Sequence, residues 1–322
     1  MRQRRLGGTG IEVSELGFGA WGIGQFMWVG AEDDESLRAL RRAFELGVDF
    51  VDTALGYGEG HSERLVGEAV RAHGGGITVA TKIPPKNMKW PAPAGIHADE
   101  AFPADWVISR TETSLRNLGL DAIDVQQFHV WSDEWVDQGS WYEAIERLKD
   151  EGKIRHFGVS INDHQPENAL KLVERGMVET VQVIYNVFDQ SPADSLLDAT
   201  AASDVGVIVR VPFDEGALTG RIRPDTEFPD GDFRNEYFGG DRKQQVWDRV
   251  SAIADDLGGG TESLPEIALR FCLSHPAVST VIPGMRSVRN VERNVAAAEA
   301  GPLDAATLET LSRHRWDRNF YA

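Results

Sequence analysis

Short apolar runs alternate with longer amphipathic stretches along nearly the whole chain. Most of the short runs have apolar residues at consecutive positions, which is typical of strands covered on both faces. Turn-forming residues flank the runs, and β-branched residues are common within them. The pattern predicts eight strands, at residues 15–21, 50–54, 77–83, 123–129, 156–161, 180–186, 205–212 and 278–283.

The stretches between these runs have apolar residues at helical spacing. In the first of them, acidic residues occupy the first turn, Leu37, Leu40 and Phe44 form one stripe, and Gly47 ends the helix. Eight strands alternating with eight helices predict a closed (β/α)8 barrel, an α/β fold whose functional residues lie on the loops after the strands. The helices are predicted at residues 33–47, 62–71, 103–119, 141–152, 165–176, 193–204, 264–274 and 288–300.

Three segments lie outside the repeat. Residues 4–14 are predicted to form a two-strand hairpin that turns at residues 7–10 and closes the bottom of the barrel. Residues 84–105 and 218–260 are too long for ordinary strand-to-helix connections, which indicates pocket loops or lids, with one helix at 242–257. Because no repeat, low-complexity tract or linker interrupts the chain, we expect residues 1–322 to form a single domain.

Charge and cysteine content narrow the choice of partners. The chain of 322 residues has a formal net charge of −18, which disfavours binding to nucleic acid or to anionic membranes. No signal peptide or membrane span is evident, and the single cysteine, Cys272, fits a reducing compartment, so we expect a cytoplasmic protein with a small-molecule partner. Because this negative charge repels anions, a ligand that carries phosphate would need basic groups close to its binding site.

Four ionisable residues fall at or just after the ends of three consecutive strands: Asp52, Tyr57, Lys82 and His129. In a barrel these ends converge on one rim. A lysine ammonium favours the phenolate and lowers a tyrosine pKa from about 10, and an aspartate keeps a buried lysine charged. A histidine can orient a carbonyl oxygen. Each residue alone could be structural, but the set suits proton delivery to a carbonyl oxygen as a hydride reaches its carbon.

A resemblance to the aldo-keto reductases is carried by Phe50-x-Asp52-Thr53-Ala54-x-x-Tyr57-Gly58-x-Gly60-x-Ser62-Glu63-x-x-x-Gly67. Later segments also resemble that family, namely Gly158-Val159-Ser160, Gln182-x-x-Tyr185-Asn186, Leu218-Thr219-Gly220-Arg221 and Ile282-Pro283-Gly284 through Asn294. The resemblance implies that Tyr57 is the general acid. It also implies that Lys82 and Asp52 tune Tyr57 and that His129 binds and orients the substrate carbonyl.

The resemblance further implies a nicotinamide cofactor. Asn162 stands one residue beyond the family's usual asparagine, and Arg210 occupies the place of an aromatic that underlies the nicotinamide, where a guanidinium plane can stack. A helix begins after Pro283, its N-terminus favours phosphate, and Arg286 favours NADP(H) over NAD(H). The implied cofactor contacts are Gly19, Ala20, Trp21, Asp52, Ser160, Asn162, Gln182, Arg210, Val211, Pro212, Phe213, Gly216, Leu218, Gly220, Pro283, Gly284, Arg286, Asn290 and Asn294.

The substrate pocket of such an enzyme would accept an aldehyde, a ketone or a sugar. Two alternative functions stay open, a Schiff-base aldolase with Lys82 as nucleophile and a non-catalytic NADP(H)-binding sensor or accessory subunit. No metal is expected, because the spacing of Asp52, Glu63 and His129 matches no zinc pattern. The expected pocket residues are Trp21, Tyr57, Trp90, His129 and Trp131.

Overall fold

The computed structural model describes residues 1–25 and 27–316. The chain begins with an antiparallel hairpin of two strands, β1 (Gln3–Arg5) and β2 (Glu12–Ser14). Eight parallel strands follow in sequence order, each hydrogen-bonded to the next. They are β3 (Phe18–Gly19), β4 (Phe50–Asp52), β5 (Thr78–Ile83), β6 (Ile123–Phe128), β7 (Ile154–Ser160), β8 (Thr180–Ile184), β9 (Gly206–Arg210) and β10 (Val278–Val281).

Backbone contacts between β10 and the segment containing β3 close the sheet into a barrel. The Gly17 amide donates to the Val281 carbonyl at 2.8 Å, and the Val281 amide donates to the Glu15 carbonyl at 2.9 Å. A parallel bridge also joins Gly19 to Gly284. The predicted (β/α)8 fold is therefore confirmed, with all eight strands present and most of them shorter than predicted.

Helices surround the barrel and follow the predicted pattern with some differences. The helix predicted at 165–176 starts late, because a 3-10 segment with Pro166 in its first turn precedes it. Two four-residue helices and the final helix were not predicted. The helices are α1 (Asp33–Glu45), α2 (His61–His73), α3 (Ala98–Ala101), α4 (Ala104–Leu118), α5 (Trp141–Asp150), α6 (Leu170–Glu174), α7 (Leu196–Ala202), α8 (Arg234–Tyr237), α9 (Arg242–Asp256), α10 (Leu264–Ser274), α11 (Val288–Glu299) and α12 (Ala305–Ser312).

The N-terminal hairpin plugs the barrel at the end where the strands begin. Its Leu6 and Val13 are fully buried and form one cluster with barrel residues, including Phe50. Gly7 has a φ of +54°, and a Cβ there would lie 2.2 Å from the Gly206 amide nitrogen. Only glycine fits this close approach, and the plug leaves the opposite end of the barrel for function.

Among the described residues, no helix combines the length and apolar character needed to cross a membrane.

Candidate active site

The four strand-end residues predicted to act together meet at the open rim. Asp52 ends β4, Tyr57 follows in the next loop, Lys82 lies near the end of β5, and His129 follows β6. The Lys82 ammonium donates to Asp52 Oδ2 at 2.5 Å, to the Thr53 carbonyl at 2.9 Å and to the Tyr57 hydroxyl at 3.1 Å. Three acceptors thus satisfy the three donors of one buried ammonium group.

Asp52 is held by two amides from inside the barrel as well as by Lys82. Its Oδ1 accepts from Gln182 Nε2 at 2.7 Å and from Gln127 Nε2 at 3.1 Å. The side chains of Asp52 and Lys82 are only 3% and 1% exposed, so unpaired charges here would be very costly. Gln127 was not predicted as a site residue, although two consecutive buried glutamines in β6 were a usable signal.

The surroundings keep Lys82 charged and Tyr57 neutral. Burial disfavours the ammonium, but Asp52 and Tyr57 outweigh it and raise the pKa of Lys82 above its ordinary value. For Tyr57, burial is the largest influence and raises its pKa, while Lys82 acts in the opposite direction. Lys82 lowers the pKa of Tyr57 as the sequence predicts, but burial outweighs this contribution, so the net shift is upward. Tyr57 is therefore a protonated phenol beside a cation.

His129 lies beside Tyr57 as a neutral imidazole. The two rings meet edge to face with centroids 5.6 Å apart, and Trp90 contacts the His129 ring at 5.7 Å. Burial, together with the charges of Lys82 and Arg210, holds the pKa of His129 well below its ordinary value. Its buried Nδ1 has no hydrogen-bond partner among the described residues. A neutral imidazole in this place can bind a ligand oxygen without adding charge.

Above these residues opens a cleft of about 2030 Å³, lined by most of the predicted contact positions. Ala20, Leu218 and Pro283 are buried and do not line it. The described residues contain no group of three or more His, Cys, Asp or Glu side chains arranged for a metal ion. The predicted positions on the cleft wall are Gly19, Trp21, Asp52, Tyr57, Trp90, His129, Ser160, Asn162, Gln182, Arg210, Val211, Pro212, Phe213, Gly216, Gly220, Gly284, Arg286, Asn290 and Asn294.

Trp131, expected in the substrate pocket, lies instead in the hydrophobic core. Its side chain is fully buried, and its ring packs against Trp141 at 5.0 Å and Trp135 at 5.9 Å. The indole nitrogen donates to Asp133. Because β6 ends at Phe128, strand alternation does not extend to Trp131, which packs among core aromatic rings rather than on the cleft wall.

Two predicted cofactor residues are already engaged by protein groups. The Asn162 amide accepts from the Ala92 backbone at 3.0 Å and donates to Gln165 at 3.1 Å, tying the loop after β5 to the loop after β7. The Arg210 guanidinium donates to the Ile161 carbonyl at 3.0 Å and forms an ion pair with Asp163. Arg210 is thereby fixed on the cleft wall in a defined position.

The loop after Arg210 has an unusual backbone. Val211, Asp214 and Glu215 have φ values of 55°, 47° and 53°, in the left-handed region that non-glycine residues rarely occupy. Buried Asp214 accepts a hydrogen bond from the Tyr237 hydroxyl at 3.0 Å, and its other oxygen has no partner among the described residues. Burial raises the pKa of Asp214 to about 6.

Asp214 is expected to make stability depend on pH. Its folded-state pKa of about 6 exceeds the ordinary 3.8, so its contribution to stability is lost as pH rises from about 4 through 6. Asp214→Asn keeps an acceptor for Tyr237 and removes this loss. The variant should match wild type at pH 4 and be more stable by up to about 3 kcal/mol at pH 8. Denaturant unfolding at both pH values measures this, and exposed Asp248→Asn is the control. A difference that does not change with pH would contradict the prediction.

Basic side chains gather in another part of the cleft. Arg286 donates to the Val29 carbonyl at 3.0 Å and precedes α11, whose first turn is capped by Ser287. Burial and nearby Arg234 lower the pKa of Arg286, but a guanidinium stays charged at neutral pH. Four further arginines line the same cleft, which is also lined by carboxylates such as Glu35; they are Arg221, Arg223, Arg289 and Arg293.

A parallel barrel with a tyrosine, lysine, aspartate and histidine at its open rim is the architecture of a class of nicotinamide-dependent oxidoreductases. The model of the Aldo/keto reductase family matches residues 15–315, and the chain belongs to that family. The sequence-based recognition of the family is thereby confirmed.

Individual relatives match over almost their whole length. The chain is 29% identical over 299 residues to aldo-keto reductase YhdN of Bacillus subtilis, covering 91% of this chain and 87% of that protein. It is 27% identical over 333 residues to the NADH-specific methylglyoxal reductase of Escherichia coli, covering 96% and 97%. Aldo-keto reductase AKR11C1 from Bacillus halodurans, solved in its holo form, has a TM-score of 0.77 and 28% identity, covering 99% of this chain and 97% of that one.

Proposed function

We propose that this protein transfers a hydride between NADP(H) and a carbonyl or alcohol substrate, with Tyr57 as general acid in reduction and general base in oxidation. One observation carries the proposal: the Tyr57 hydroxyl lies 3.1 Å from the Lys82 ammonium, in a cleft that also contains neutral His129. The substrate class is an aldehyde, a ketone or a sugar. We propose that the whole chain forms one such catalytic domain.

The residues of the cleft fit a nicotinamide dinucleotide phosphate. Polar side chains at Ser160, Asn162 and Gln182 suit a neutral carboxamide, and the arginines near α11 suit phosphates. The planar guanidinium of Arg210 suits an aromatic ring. When bound, this cofactor supplies or accepts the hydride.

The chain's own residues manage the proton. Tyr57, held as a phenol, donates its proton to the substrate oxygen, and the Lys82 cation stabilises the phenolate that remains. Asp52 keeps Lys82 charged and in place through the contact at 2.5 Å. Neutral His129 binds the same substrate oxygen and orients it. Burial of Asp52 and Lys82, and partial burial of Tyr57 and His129, strengthen these interactions relative to water.

The contacts of Lys82 argue against a Schiff-base aldolase. A nucleophilic amine needs a free electron pair and a lowered pKa. Here Asp52 and Tyr57 outweigh burial and raise the pKa of Lys82, and its ammonium is used in three hydrogen bonds. The complete proton-transfer set likewise gives no reason to prefer a purely sensing role.

The enzyme assay is oxidation of NADPH and of NADH, in parallel, by a panel of aldehydes, ketones and aldose sugars. We expect carbonyl-dependent oxidation that is faster at limiting NADPH than at limiting NADH. Binding of NADPH without turnover of any carbonyl, or of any alcohol in the reverse direction, would contradict the proposal and favour the sensor.

Arg286 should govern the preference for NADPH over NADH. This preference has to be measured, because one relative is an NADH-specific reductase. Loss of one charge-assisted contact to a 2′-phosphate costs about tenfold or more in affinity. In Arg286→Ala the KM for NADPH should rise by about that factor, while the KM for NADH changes little. Exposed Arg313→Ala is the control. An equal rise in KM for both cofactors would contradict this role. It would indicate that Arg286 acts through its hydrogen bond to the Val29 carbonyl.

A further inference from the structure

The helix α4 forms one side of the cleft beyond the start of α2. A Cβ on Gly60, just before α2, would lie 2.2 Å from the Asn117 side chain, and one on Gly67 would lie 2.1 Å from the Leu118 carbonyl. The beginning of α2 is therefore level with the end of α4. Because of this offset, the first turns of α4 extend past α2 toward the loop that carries Tyr57. One face of α4 lines the same cleft as Tyr57, through Trp106, Arg110, Thr113 and Asn117.

Aromatic side chains connect this face to the proton-transfer site. The Trp106 indole donates to the Pro84 carbonyl at 2.8 Å, which fixes α4 to the loop that follows β5. Trp90, in the same loop, contacts His129 at 5.7 Å. The Arg110 guanidinium lies 4.6 Å from the Trp106 ring centroid. One wall of the cleft therefore includes the pair His129 and Trp90 and the pair Trp106 and Arg110.

Arg110 is a cation without a counter-ion in an acidic chain. In the part of the chain that the structure describes, no carboxylate forms an ion pair with Arg110, and its buried Nε has no acceptor. The sequence has 51 acidic against 33 basic residues. Glu59, which also lines the cleft, is exposed, and Arg64 donates to its backbone carbonyl. The guanidinium is therefore held over an aromatic ring with hydrogen-bonding capacity left for a ligand.

We propose that Arg110 binds an anionic group of the substrate, so that this enzyme prefers carbonyl compounds bearing a carboxylate or a phosphate away from the carbonyl. This inference rests on the proposed function of the same site. A guanidinium binds either anion through paired N–H groups, and its position over Trp106 presents that fork in one orientation. The tryptophans offer a flat surface for the body of the substrate between the anion and the carbonyl. A local cation is also what an anionic substrate needs to approach a chain of net charge −18.

The test compares matched charged and neutral substrates. For the carboxylate the pair is 4-carboxybenzaldehyde and 4-formylbenzamide, and for the phosphate it is glyceraldehyde 3-phosphate and glyceraldehyde. Wild type should have a higher kcat/KM for the charged member of at least one pair, and the pair that shows it identifies the anion. Arg110→Gln should remove about tenfold or more of that preference, mainly through KM, because the contact lies away from the reacting atoms. Arg110→Glu should reverse the preference.

Controls separate this inference from the proposed function. Exposed Arg116→Gln, on the same helix but outside the cleft, should retain the wild-type preference. Binding of benzoate but not benzamide to the protein without cofactor, followed by tryptophan fluorescence, should also be lost in Arg110→Gln. If neutral aldehydes are reduced and the charged preference is absent or unchanged in Arg110→Gln, only the role of Arg110 is wrong. If no carbonyl compound is reduced with either cofactor, the proposed function itself fails.

Discussion

Replacing Tyr57 with phenylalanine is expected to lower kcat for carbonyl reduction by about a thousandfold, within the 10²–10⁴ range typical of a lost general acid. The substitution removes one oxygen atom, the one that Lys82 contacts at 3.1 Å. Phenylalanine preserves the ring that packs edge to face on His129 at 5.6 Å. The loss should therefore fall on the chemical step rather than on binding or folding.

Single-turnover reduction of an aldehyde measures that step directly. The dissociation constant for NADPH should stay within about twofold of wild type, because Tyr57 contributes chemistry and not cofactor affinity. Tyr142→Phe, an exposed tyrosine of α5, is the matched control and should be fully active. A Tyr57→Phe enzyme that keeps a tenth or more of the wild-type rate would exclude Tyr57 as the proton donor.

Asp52→Ala is expected to produce the largest loss of stability, about 3–5 kcal/mol, together with loss of activity. The substitution leaves the Lys82 ammonium in a site where its side chain is 1% exposed and, among the residues that the structure describes, has no other carboxylate partner. It also deprives the Gln127 and Gln182 amides of the oxygen they share. A buried charge without a counter-ion is far more costly than the absence of the whole pair.

A second variant separates charge from packing. Lys82→Met added to Asp52→Ala removes the stranded charge and should recover at least half of the lost unfolding free energy, yet remain inactive. Urea unfolding of the single and double variants measures this coupling. Destabilisation of less than about 1 kcal/mol by Asp52→Ala, or no recovery in the double variant, would show that the ion pair does not control stability.

The sequence predicts the barrel and the proton-transfer set well, because both depend on strand position. Periodicity locates eight strands, and barrel geometry then brings Asp52, Tyr57, Lys82 and His129 together at the rim. Strand position predicts that Lys82 lowers the pKa of Tyr57, and Lys82 does act in that direction. It cannot rank this contribution against burial, because burial depends on residues distant in sequence.

Other features depend on the direction of a side chain. In a loop this direction cannot be predicted, because loop sequences have no regular hydrophobic period. Trp131 follows His129 by two residues but packs in the core, because β6 ends at Phe128 and strand alternation does not extend to residue 131. Arg110 lies on a predicted helix, yet its place in the cleft arises from the offset of α4 past α2. Helices of four residues, such as α3, are too short to show a helical period.

The contacts of Asp52 make the active site depend on strands far apart along the chain. Its carboxylate joins side chains from β5, β6 and β8 that lie 30, 75 and 130 positions away along the chain. Such distant partners meet only after the entropy of closing very large loops has been overcome. A contiguous fragment that ends before β8 lacks Gln182 and cannot form the complete set of hydrogen bonds to Asp52. Recovery of turnover after denaturation is therefore a stricter measure of native topology than recovery of secondary structure.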